Sequence, residues 1–286
     1  MKQYAILLIS ILLLTSCHRQ VQSEKQPILT VTLEPLRYFT EAIAGEHFKV
    51  VSMVPDGSSP ETYDPTPQQL VALSQSTAYL RIGYIGFEQN WMDKLQSNSP
   101  ELPFFDMSEG IDLIRESPRA HGDHVHEGGV EPHIWNSCRN ARLIARNICH
   151  TLCQLDSLHA DDYRNRLDSL TRVIDETDQE VRGMLARADS TFLIYHPALS
   201  YFARDYGLTQ ISIEEGGKEP SPAHLQTLIE QSRCTGARII FVQQEFDTRN
   251  AELIAREAQL QIVRINPLSY QWDKEMKNVA RALQHP

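Results

Sequence analysis

The longest regular pattern of apolar and polar positions runs over residues 157–188, which include no proline and a single glycine, Gly183. Apolar residues recur there at alternating steps of three and four, which places them on one side of a helix. They are Tyr163, Leu167, Leu170, Ile174, Val181, Met184 and Ala188, with Thr177 in the one gap. At about 1.5 Å per residue the helix would be roughly 45 Å long, more than one small domain needs. We therefore predict a helix that links two lobes, in preference to a coiled-coil arm.

Short apolar segments alternate with helical patterns on both sides of this helix. Before it, strands are predicted at residues 28–33, 49–54, 78–82 and 103–107, and helices at 36–44, 67–74, 87–96 and 137–156. After it, strands are predicted at 191–195, 210–213, 238–243 and 261–265, and helices at 198–206, 222–232, 249–259 and 272–284. Such alternation indicates parallel sheets covered on both faces. The predicted fold class is α/β: two lobes, each a mainly parallel sheet flanked by helices, joined by one long rigid backbone helix.

A weak internal repeat supports two related halves. In each half the first predicted strand ends in a dipeptide with proline, followed at equal offsets by an aromatic residue and a glycine. These residues are Glu34, Pro35, Phe39 and Gly45 in the first half, and His196, Pro197, Tyr201 and Gly207 in the second. The predicted lobes span residues 27–156 and 190–286, with the linking helix at 157–189. A mature chain of about 270 residues is long enough for two such domains.

The first residues are typical of an export signal. Lys2 supplies a positive charge, and residues 5–14 form an apolar run too short to span a bilayer. The sequence Leu-Thr-Ser-Cys at 14–17 resembles the bacterial lipoprotein cleavage box, in which the cysteine becomes the acylated first residue. We predict a signal peptide at 1–16, lipidation of Cys17 and a polar tether at 17–26. The alternative is an ordinary signal peptide with a chance cysteine.

Charge and cysteine content limit the classes of function. The net charge of −10 disfavours a nucleic-acid partner. Beyond Cys17 the cysteines are Cys138, Cys149, Cys153 and Cys234. The first three share one face of a predicted helix, which indicates small buried apolar groups. A disulfide between Cys149 and Cys153 is disfavoured, because Cβ atoms four residues apart in a helix are about 5–6 Å apart.

Four polar residues lie where predicted strands end, at the edge of an open parallel sheet that binds ligands. Glu61 follows the second strand, and His133 comes after the fourth, within Glu-Pro-His-Ile-Trp at 131–135. His196 ends the first strand of the second half, and Asn266 ends the last strand. Two imidazoles, a carboxylate and an amide oxygen, two from each half, form a candidate cation site between the lobes. A single histidine would more often be a structural group, but the shared position at strand ends favours a site.

A histidine-rich loop precedes His133. His121, His124 and His126 lie close together and are followed by two glycines at 128–129. Short histidine-rich segments bind metals, loosely when they are flexible. An accessory role in metal capture and a merely solvated loop are both consistent with this sequence.

Five segments together resemble the metal-specific solute-binding proteins of bacterial ABC importers, the ZnuA/TroA-type family. They are residues 55–67, 131–135, 195–208, 214–225 and 264–268, and they cover both halves in order. Members of that family have two α/β lobes joined by one long helix. The resemblance thus implies the fold that the alternating pattern predicts independently.

The resemblance implies a metal site but not an identical set of ligands. His133 and His196 match the family's histidines directly, whereas Glu61 stands in place of a histidine and Asn266 in place of an aspartate. Zinc members typically offer three histidines with one carboxylate, and manganese members two histidines with two carboxylates. A His₂Glu set is an accepted zinc arrangement, with water or Asn266 as the fourth ligand. Zinc is the first expectation, and manganese or iron the alternative.

The predicted function is high-affinity binding of a divalent metal on the periplasmic side of a bacterial membrane, followed by delivery to an ABC importer permease. The protein is expected to be a monomer, anchored by its lipid, that catalyses no reaction. Because the ligands bind metal as carboxylate and neutral imidazoles, affinity should fall below about pH 6.5.

Three other classes compete with this prediction. A zinc hydrolase would use the same His₂Glu set to activate water, with Glu214 or Glu215 as the general base. A siderophore or cobalamin binding protein would share the linked lobes but line its cleft with aromatic and arginine side chains. An adhesin is neither favoured nor excluded by the sequence.

Overall fold

The architecture consists of two four-stranded parallel sheets. The first comprises β1 (Ile28–Val31), β2 (Lys49–Ser52), β3 (Ala78–Arg81) and β4 (Phe104–Asp106), in the order β2-β1-β3-β4. A small antiparallel pair follows in the chain, β5 (Arg119–His121) and β6 (His124–His126). The second large sheet comprises β7 (Thr191–Ile194), β8 (Thr209–Ser212), β9 (Ile239–Gln243) and β10 (Gln261–Ile265), in the order β10-β9-β7-β8.

Helices connect the strands and cover the sheets. The first half includes α1 (Glu34–Ala44), α2 (Pro67–Leu73), α3 (Gly86–Asn98) and α4 (Cys138–Leu155). The linking helix is α5 (Ala160–Leu185), and the second half includes α6 (Ser200–Tyr206), α7 (Pro222–Thr235), α8 (Arg249–Ala258) and α9 (Trp272–Leu283). The two-lobed α/β fold is therefore confirmed. Each strand of the two large sheets lies within two residues of its predicted bounds.

This computed structural model describes residues 26–115, 119–121, 124–126, 129–214 and 218–284. The predicted signal peptide, Cys17 and nearly all of the predicted tether lie outside these ranges. Within them, no helix combines the length and the apolar character that crossing a membrane requires.

The two large sheets have the same topology, which agrees with the weak sequence repeat. In each half the first strand lies between the second and third, and the fourth lies beyond the third. The loops after the carboxyl ends of both sheets carry Glu61 and His196, as the strand-end argument expects.

The linking helix is shorter than its apolar pattern predicted. Instead of one helix over 157–188, a single 3-10 turn at Ser157–His159 precedes α5, which runs for 26 residues. The break follows Asp156, whose backbone is extended (φ −143°, ψ 82°) and whose carboxylate accepts hydrogen bonds from His159 Nδ1 (2.6 Å) and Tyr163 Oη (2.7 Å). This local turn satisfies polar groups that a continuous helix would leave to solvent.

The apolar stripe of α5 is covered by three helices, α1, α4 and α9. Its side chains Tyr163, Ile174 and Val181 are fully buried. The last helix, α9, lies within the predicted C-terminal lobe, yet its Trp272 and Leu283 belong to the same core cluster as the first sheet. The linking helix is thus a packed part of a core that both halves share. The lobe boundaries at 156 and 190 stay a prediction.

The segment before α4 binds the second half through buried hydrogen bonds. Trp135, which is completely buried, donates from Nε1 to the carbonyl oxygen of Pro267 (2.7 Å) and accepts from Trp272 Nε1 at its own carbonyl (2.8 Å). Asn136 Nδ2 donates to the carbonyl of Ala198 (2.9 Å). These bonds fix the loop that precedes α4 to the segment after β7 and to the segment between β10 and α9.

The four cysteines in the described residues are free. Cys138 and Cys149 are buried in α4, as their shared helix face predicted, Cys153 is half-buried and Cys234 is exposed. Burial raises the pKa of Cys138 to about 12 and that of Cys149 to about 11. These thiols are therefore protonated and unreactive at neutral pH.

One buried carboxyl group connects β1, β3 and α3. Glu88 lies in the first turn of α3 and accepts hydrogen bonds from Thr32 Oγ1 and from the backbone N–H groups of Ile82 (2.8 Å) and Gly83 (2.5 Å). Burial raises its pKa to about 7, although these donors and the charge of Arg81 partly oppose the shift.

The raised pKa of Glu88 makes the stability of the fold depend on pH. The unfolded chain loses this proton near pH 4.5 and the folded chain near pH 7, so stability should fall as pH rises through that window and then level off. The loss attributable to Glu88 is on the order of 3 kcal/mol. We expect Glu88→Gln to remove it, which urea denaturation of the chelated protein at pH 5 and pH 8 would measure. If the free energy of unfolding fell by the same amount between pH 5 and pH 8 in both proteins, the loss could not be assigned to Glu88.

Candidate metal-binding site

Three predicted ligands from three separate loops meet in a cleft between the two sheets. Glu61 lies between β2 and α2, His133 lies just before α4, and His196 lies two residues after β7. Their donor atoms all lie within 4.8 Å of one another. The Nε2 atoms of His133 and His196 face each other at 3.2 Å. Two imidazole ligands of a tetrahedral zinc ion would have nitrogens about 3.3 Å apart, given Zn–N bonds of about 2.0–2.1 Å, so the spacing fits.

A buried glutamate orients each imidazole from behind. Glu131 Oε1 binds Nδ1 of His133 at 2.5 Å, and Glu214 Oε2 binds Nδ1 of His196 at 2.8 Å. Glu131 also accepts a hydrogen bond from Ser200 Oγ (3.0 Å), which fixes its own position. Because each Nδ1 is engaged, each Nε2 is left to face the cleft. Carboxylates typically hold metal-binding histidines in this way.

The two facing Nε2 atoms are favourable only with a cation, which is either a metal ion between them or a proton on one of them. With both Nδ1–H groups donated to carboxylates, each neutral ring presents an unprotonated Nε2, and two such acceptors at 3.2 Å repel. Burial alone would lower the pKa of His133, but the charge and hydrogen bond of Glu131, with the charges of Glu61 and Glu214, outweigh it and raise that pKa. The same pairing lowers the pKa of Glu131 despite its burial. A metal ion between the two Nε2 atoms would remove this repulsion.

Glu61 is positioned by the start of α3. Its Oε2 lies so close to Gly86, the first residue of that helix, that a Cβ atom there would be 2.2 Å away. The positive end of the helix dipole favours a carboxylate at this position. The other oxygen, Oε1, is buried without a hydrogen-bond partner. Leaving such a group unpaired costs about 1–3 kcal/mol or more, and coordination of a cation would remove that cost.

The cleft around these residues opens to solvent. Five segments line it: Ser59, Pro60 and Glu61; His133 and Trp135; His196 and Ala198; Gln243, Glu245 and Phe246; Pro267 and Leu268. Aromatic rings enclose the imidazoles. Phe246 stacks on His196 (5.1 Å between centroids, 15°), and Trp135 meets His133 edge-on (5.3 Å, 62°). These rings cover two sides of the imidazole pair.

The structure does not bring Asn266 into this group. Its Oδ1 accepts a hydrogen bond from the backbone N–H of Leu268 (3.1 Å), and its own N–H donates to Glu275 Oε1 (2.8 Å). Pro267 and Leu268 line the cleft, whereas Asn266 is not among the lining residues. Its amide oxygen is used in a turn before Pro267, a common role for asparagine.

The histidine-rich loop forms a short hairpin that the sequence did not predict. The backbones of β5 and β6 pair antiparallel, with His121 opposite His124 and Arg119 opposite His126. The side chains of His121, His124 and His126 lie outside the described part of the structure. The accessory role of these histidines stays a prediction.

A second group of potential ligands lies where α4 meets α5. His47, Asp156 and His159 place their donor atoms within 4.8 Å of one another. Here, however, His159 binds Asp156 (2.6 Å) and His47 binds Asp162 (2.9 Å), and the two rings stack at 3.9 Å. These two rings lie stacked on each other, whereas His133 and His196 in the cleft approach each other through their Nε2 atoms.

Sequence reasoning missed the two glutamates behind the imidazoles. Glu131 precedes His133 by two residues, a spacing that hinted at such a pair. Glu214 is predicted from the sequence only as the general base of a hydrolase. In the structure it accepts the N–H of His196, so it supports a ligand. Glu215 lies outside the described residues.

Comparison with known proteins agrees with this fold. The family model described as "Zinc-uptake complex component A periplasmic" matches residues 29–285. A solved structure of ZnuA is 34% identical, covers 90% of this chain and 98% of its own, and superposes with a TM-score of 0.81. A zinc-bound ZnuA with residues 138–173 deleted is 33% identical, with 92% and 100% coverage and a TM-score of 0.83.

Curated relatives bind different metals. The manganese ABC transporter substrate-binding lipoprotein PsaA of Streptococcus anginosus is 25% identical over 274 residues, 90% of this chain and 86% of its own. The iron ABC transporter substrate-binding lipoprotein MtsA of Streptococcus pyogenes serotype M1 is 26% identical over 272 residues, with 89% and 84% coverage. Fold, site and similarity define a metal-binding solute-binding protein of the ABC importer class. The chain belongs to the family of periplasmic zinc-uptake components.

The contact between Gly86 and Glu61 gives a test that leaves the ligands unchanged. Gly86→Ala should displace the Glu61 carboxylate, because the new Cβ would lie 2.2 Å from its Oε2. We expect the affinity for zinc to fall about tenfold or more, as when a ligand's support is lost, with the helix intact. Gly183→Ala is the matched control, since a Cβ there meets nothing within 4 Å. Equal calorimetric affinities for both variants would show that Glu61 does not depend on this contact.

The charge balance at His133 predicts the pH dependence of metal binding. Metal requires the neutral imidazole, and the raised pKa keeps the proton on to a higher pH than for an ordinary histidine near 6.5. As the pH is lowered, the affinity for metal should therefore begin to fall while the pH is still above 6.5. The decrease should be about tenfold per pH unit for one displaced proton. Glu131→Gln should move this onset to lower pH by removing the charge that raises the pKa. Calorimetry between pH 5.5 and 8.5 would reveal the shift, and identical onsets would refute it.

Proposed function

We propose that this protein captures zinc in the cleft between its lobes and delivers it to the permease of an ABC importer. Glu61, His133 and His196 are the proposed protein ligands. The observation that carries this proposal is the 3.2 Å approach of two imidazole Nε2 atoms, each ring held from behind by a glutamate. Beside them lies a carboxylate oxygen that is buried without a partner.

Zinc is the first choice among divalent metals. Two neutral imidazoles and one carboxylate form an accepted zinc ligand set, and imidazole suits zinc well. Zinc is bound by the ZnuA variant whose structure matches this chain at 33% identity. Manganese or iron is the alternative, because relatives at 25% and 26% identity are named for those metals.

We further propose that the protein acts as a monomer on the periplasmic side of the membrane, held by a lipid on Cys17. The lipoprotein-like sequence at 14–17 supports this anchor, and so do the names of PsaA and MtsA. The partners would be the permease and ATPase subunits of the importer. The histidine hairpin, β5–β6, would be an accessory site of metal capture.

A hydrolase gains no support from these observations. The family consists of solute-binding proteins, and Glu214, one of the two bases that hydrolysis would have used, is bound to a ligand histidine. The deeply placed donor group instead suits reversible capture.

Removing either imidazole tests the proposal. His133→Ala or His196→Ala should lower zinc affinity at least a hundredfold, because each removes one of three strong ligands. His150→Ala is the matched control, since this exposed histidine lies on α4, away from the cleft lining. Calorimetry gives the affinities, and native mass spectrometry with equimolar zinc, manganese and iron identifies the metal selected. Wild-type affinity in either cleft variant would remove that residue from the site.

A further inference from the structure

A second carboxylate lies at the cleft, on the loop between β9 and α8. Glu245 belongs to this loop and lines the same cavity as Glu61, His133 and His196. No local pattern marks it as a ligand, because it lies two residues beyond the end of β9 in a segment without a recognised motif. The structure places it at the rim of the same cleft by attaching this loop to His196.

The loop is fixed to His196 on both sides of Glu245. Before it, the side chain of Gln243 binds the backbone of His196 twice: its Nε2 donates to the carbonyl oxygen (2.6 Å) and its Oε1 accepts from the N–H (3.3 Å). After it, Phe246 stacks on the imidazole at 5.1 Å and also contacts the ring of Tyr195 at 5.4 Å. Glu245 is thus held at the cleft by its neighbours on both sides.

One oxygen of the Glu245 carboxylate has no hydrogen-bond partner among the described residues. This oxygen, Oε1, is shielded from solvent. Among the described residues, the only other buried side-chain atoms in this state are Glu61 Oε1 and Arg204 Nη2. Two of the three therefore belong to carboxylates that line one cleft. Buried carboxylate oxygens require a donor or a cation, and a single metal ion would satisfy both.

We propose that Glu245 is the fourth protein ligand of the transported metal, a step that rests on the proposed function of the cleft. The complete set would be two imidazoles, His133 and His196, and two carboxylates, Glu61 and Glu245. Two carboxylates neutralise a divalent cation fully. They also add a hard oxygen donor, so the site would accept manganese or iron as well as zinc.

Glu245 is better suited to this position than Asn266. The amide oxygen of Asn266 is engaged by the N–H of Leu268, whereas Glu245 Oε1 has no competing partner. A carboxylate is also a stronger ligand than a neutral amide for zinc, manganese and iron alike. The family's usual last ligand would in this chain be replaced by a residue from a different loop.

Binding would require a small movement of the Glu245 side chain. Glu61, His133 and His196 form a group with donor atoms within 4.8 Å of one another, and Glu245 is outside that group. Rotation of its side chain, with the loop still fixed at Gln243 and Phe246, would complete the coordination. The fourth ligand thus arrives last and closes the cleft on the ion.

The experiment compares Glu245→Gln with wild type and with Glu257→Gln. Glu257 is an exposed glutamate near the end of α8 that is farther from this loop, and it pairs only with Arg256 among the ion pairs of the described residues. Glu245→Gln should weaken manganese binding about a hundredfold and zinc binding about tenfold, because the lost hard oxygen matters more for manganese. Glu257→Gln should change neither affinity. Competition calorimetry with each metal alone measures both.

A second readout separates a ligand from a structural residue. In the presence of chelator, Glu245→Gln should melt at the same temperature as wild type or higher, since it removes a buried charge without a partner. A lower melting temperature together with wild-type affinities would overturn the proposal. So would Asn266→Ala reducing affinity while Glu245→Gln does not. If the wild-type protein bound no metal, the proposed function would fail. If the wild-type protein bound metal and Glu245→Gln had the same affinities, the proposed function would stand and Glu245 would not be a ligand.

Discussion

The position of the metal site depends on how the segment 131–137 is bound to the second half of the chain. The Tyr201 hydroxyl donates to the carbonyl of Glu131 (2.9 Å), and Trp135 exchanges buried hydrogen bonds with Pro267 and Trp272. His133 lies between these attachments, so its ring is held against His196 by the contact between the lobes. With both ends of the segment fixed in the core, wide separation of the lobes would break several buried hydrogen bonds at once. Capture and release of metal are therefore expected to use small movements of loops and side chains rather than a large hinge motion.

Local patterns in the sequence predicted most of the strands and helices of the fold. Strands of the two large sheets were recognisable because buried parallel strands are short apolar runs bounded by turn residues. Three of the four predicted strand-end residues meet at the cleft for the same reason, since parallel strands present their carboxyl ends at one edge. Local side-chain chemistry explains two details that the patterns did not show: the carboxylate of Asp156 binds His159 and Tyr163 where a 3-10 turn replaces the first residues of the predicted linking helix, and the amide oxygen of Asn266 accepts a hydrogen bond from Leu268. Both are short polar side chains that bind nearby backbone or side-chain groups.

The remaining features of the site arise from contacts between distant parts of the chain, which no local pattern records. Glu214 meets His196 only because β7 and β8 are neighbours in the sheet. Glu245 reaches the cleft only because Gln243 and Phe246 attach its loop to His196. The close approach of Glu61 to Gly86 joins two loops of the first sheet. In each case the residue type was visible in the sequence, but the partner that gives it a role was not.

The return of the last helix to the first half has a consequence for how the protein is made. Val279 and Leu283 of α9 are buried in the core that also encloses Leu29 of the first strand. That core cannot close until residues near the end of the chain have left the ribosome. Segments of the first lobe that emerge early would stay exposed and loosely packed until then. The first lobe therefore packs completely only when a helix from the second half of the chain has joined its core.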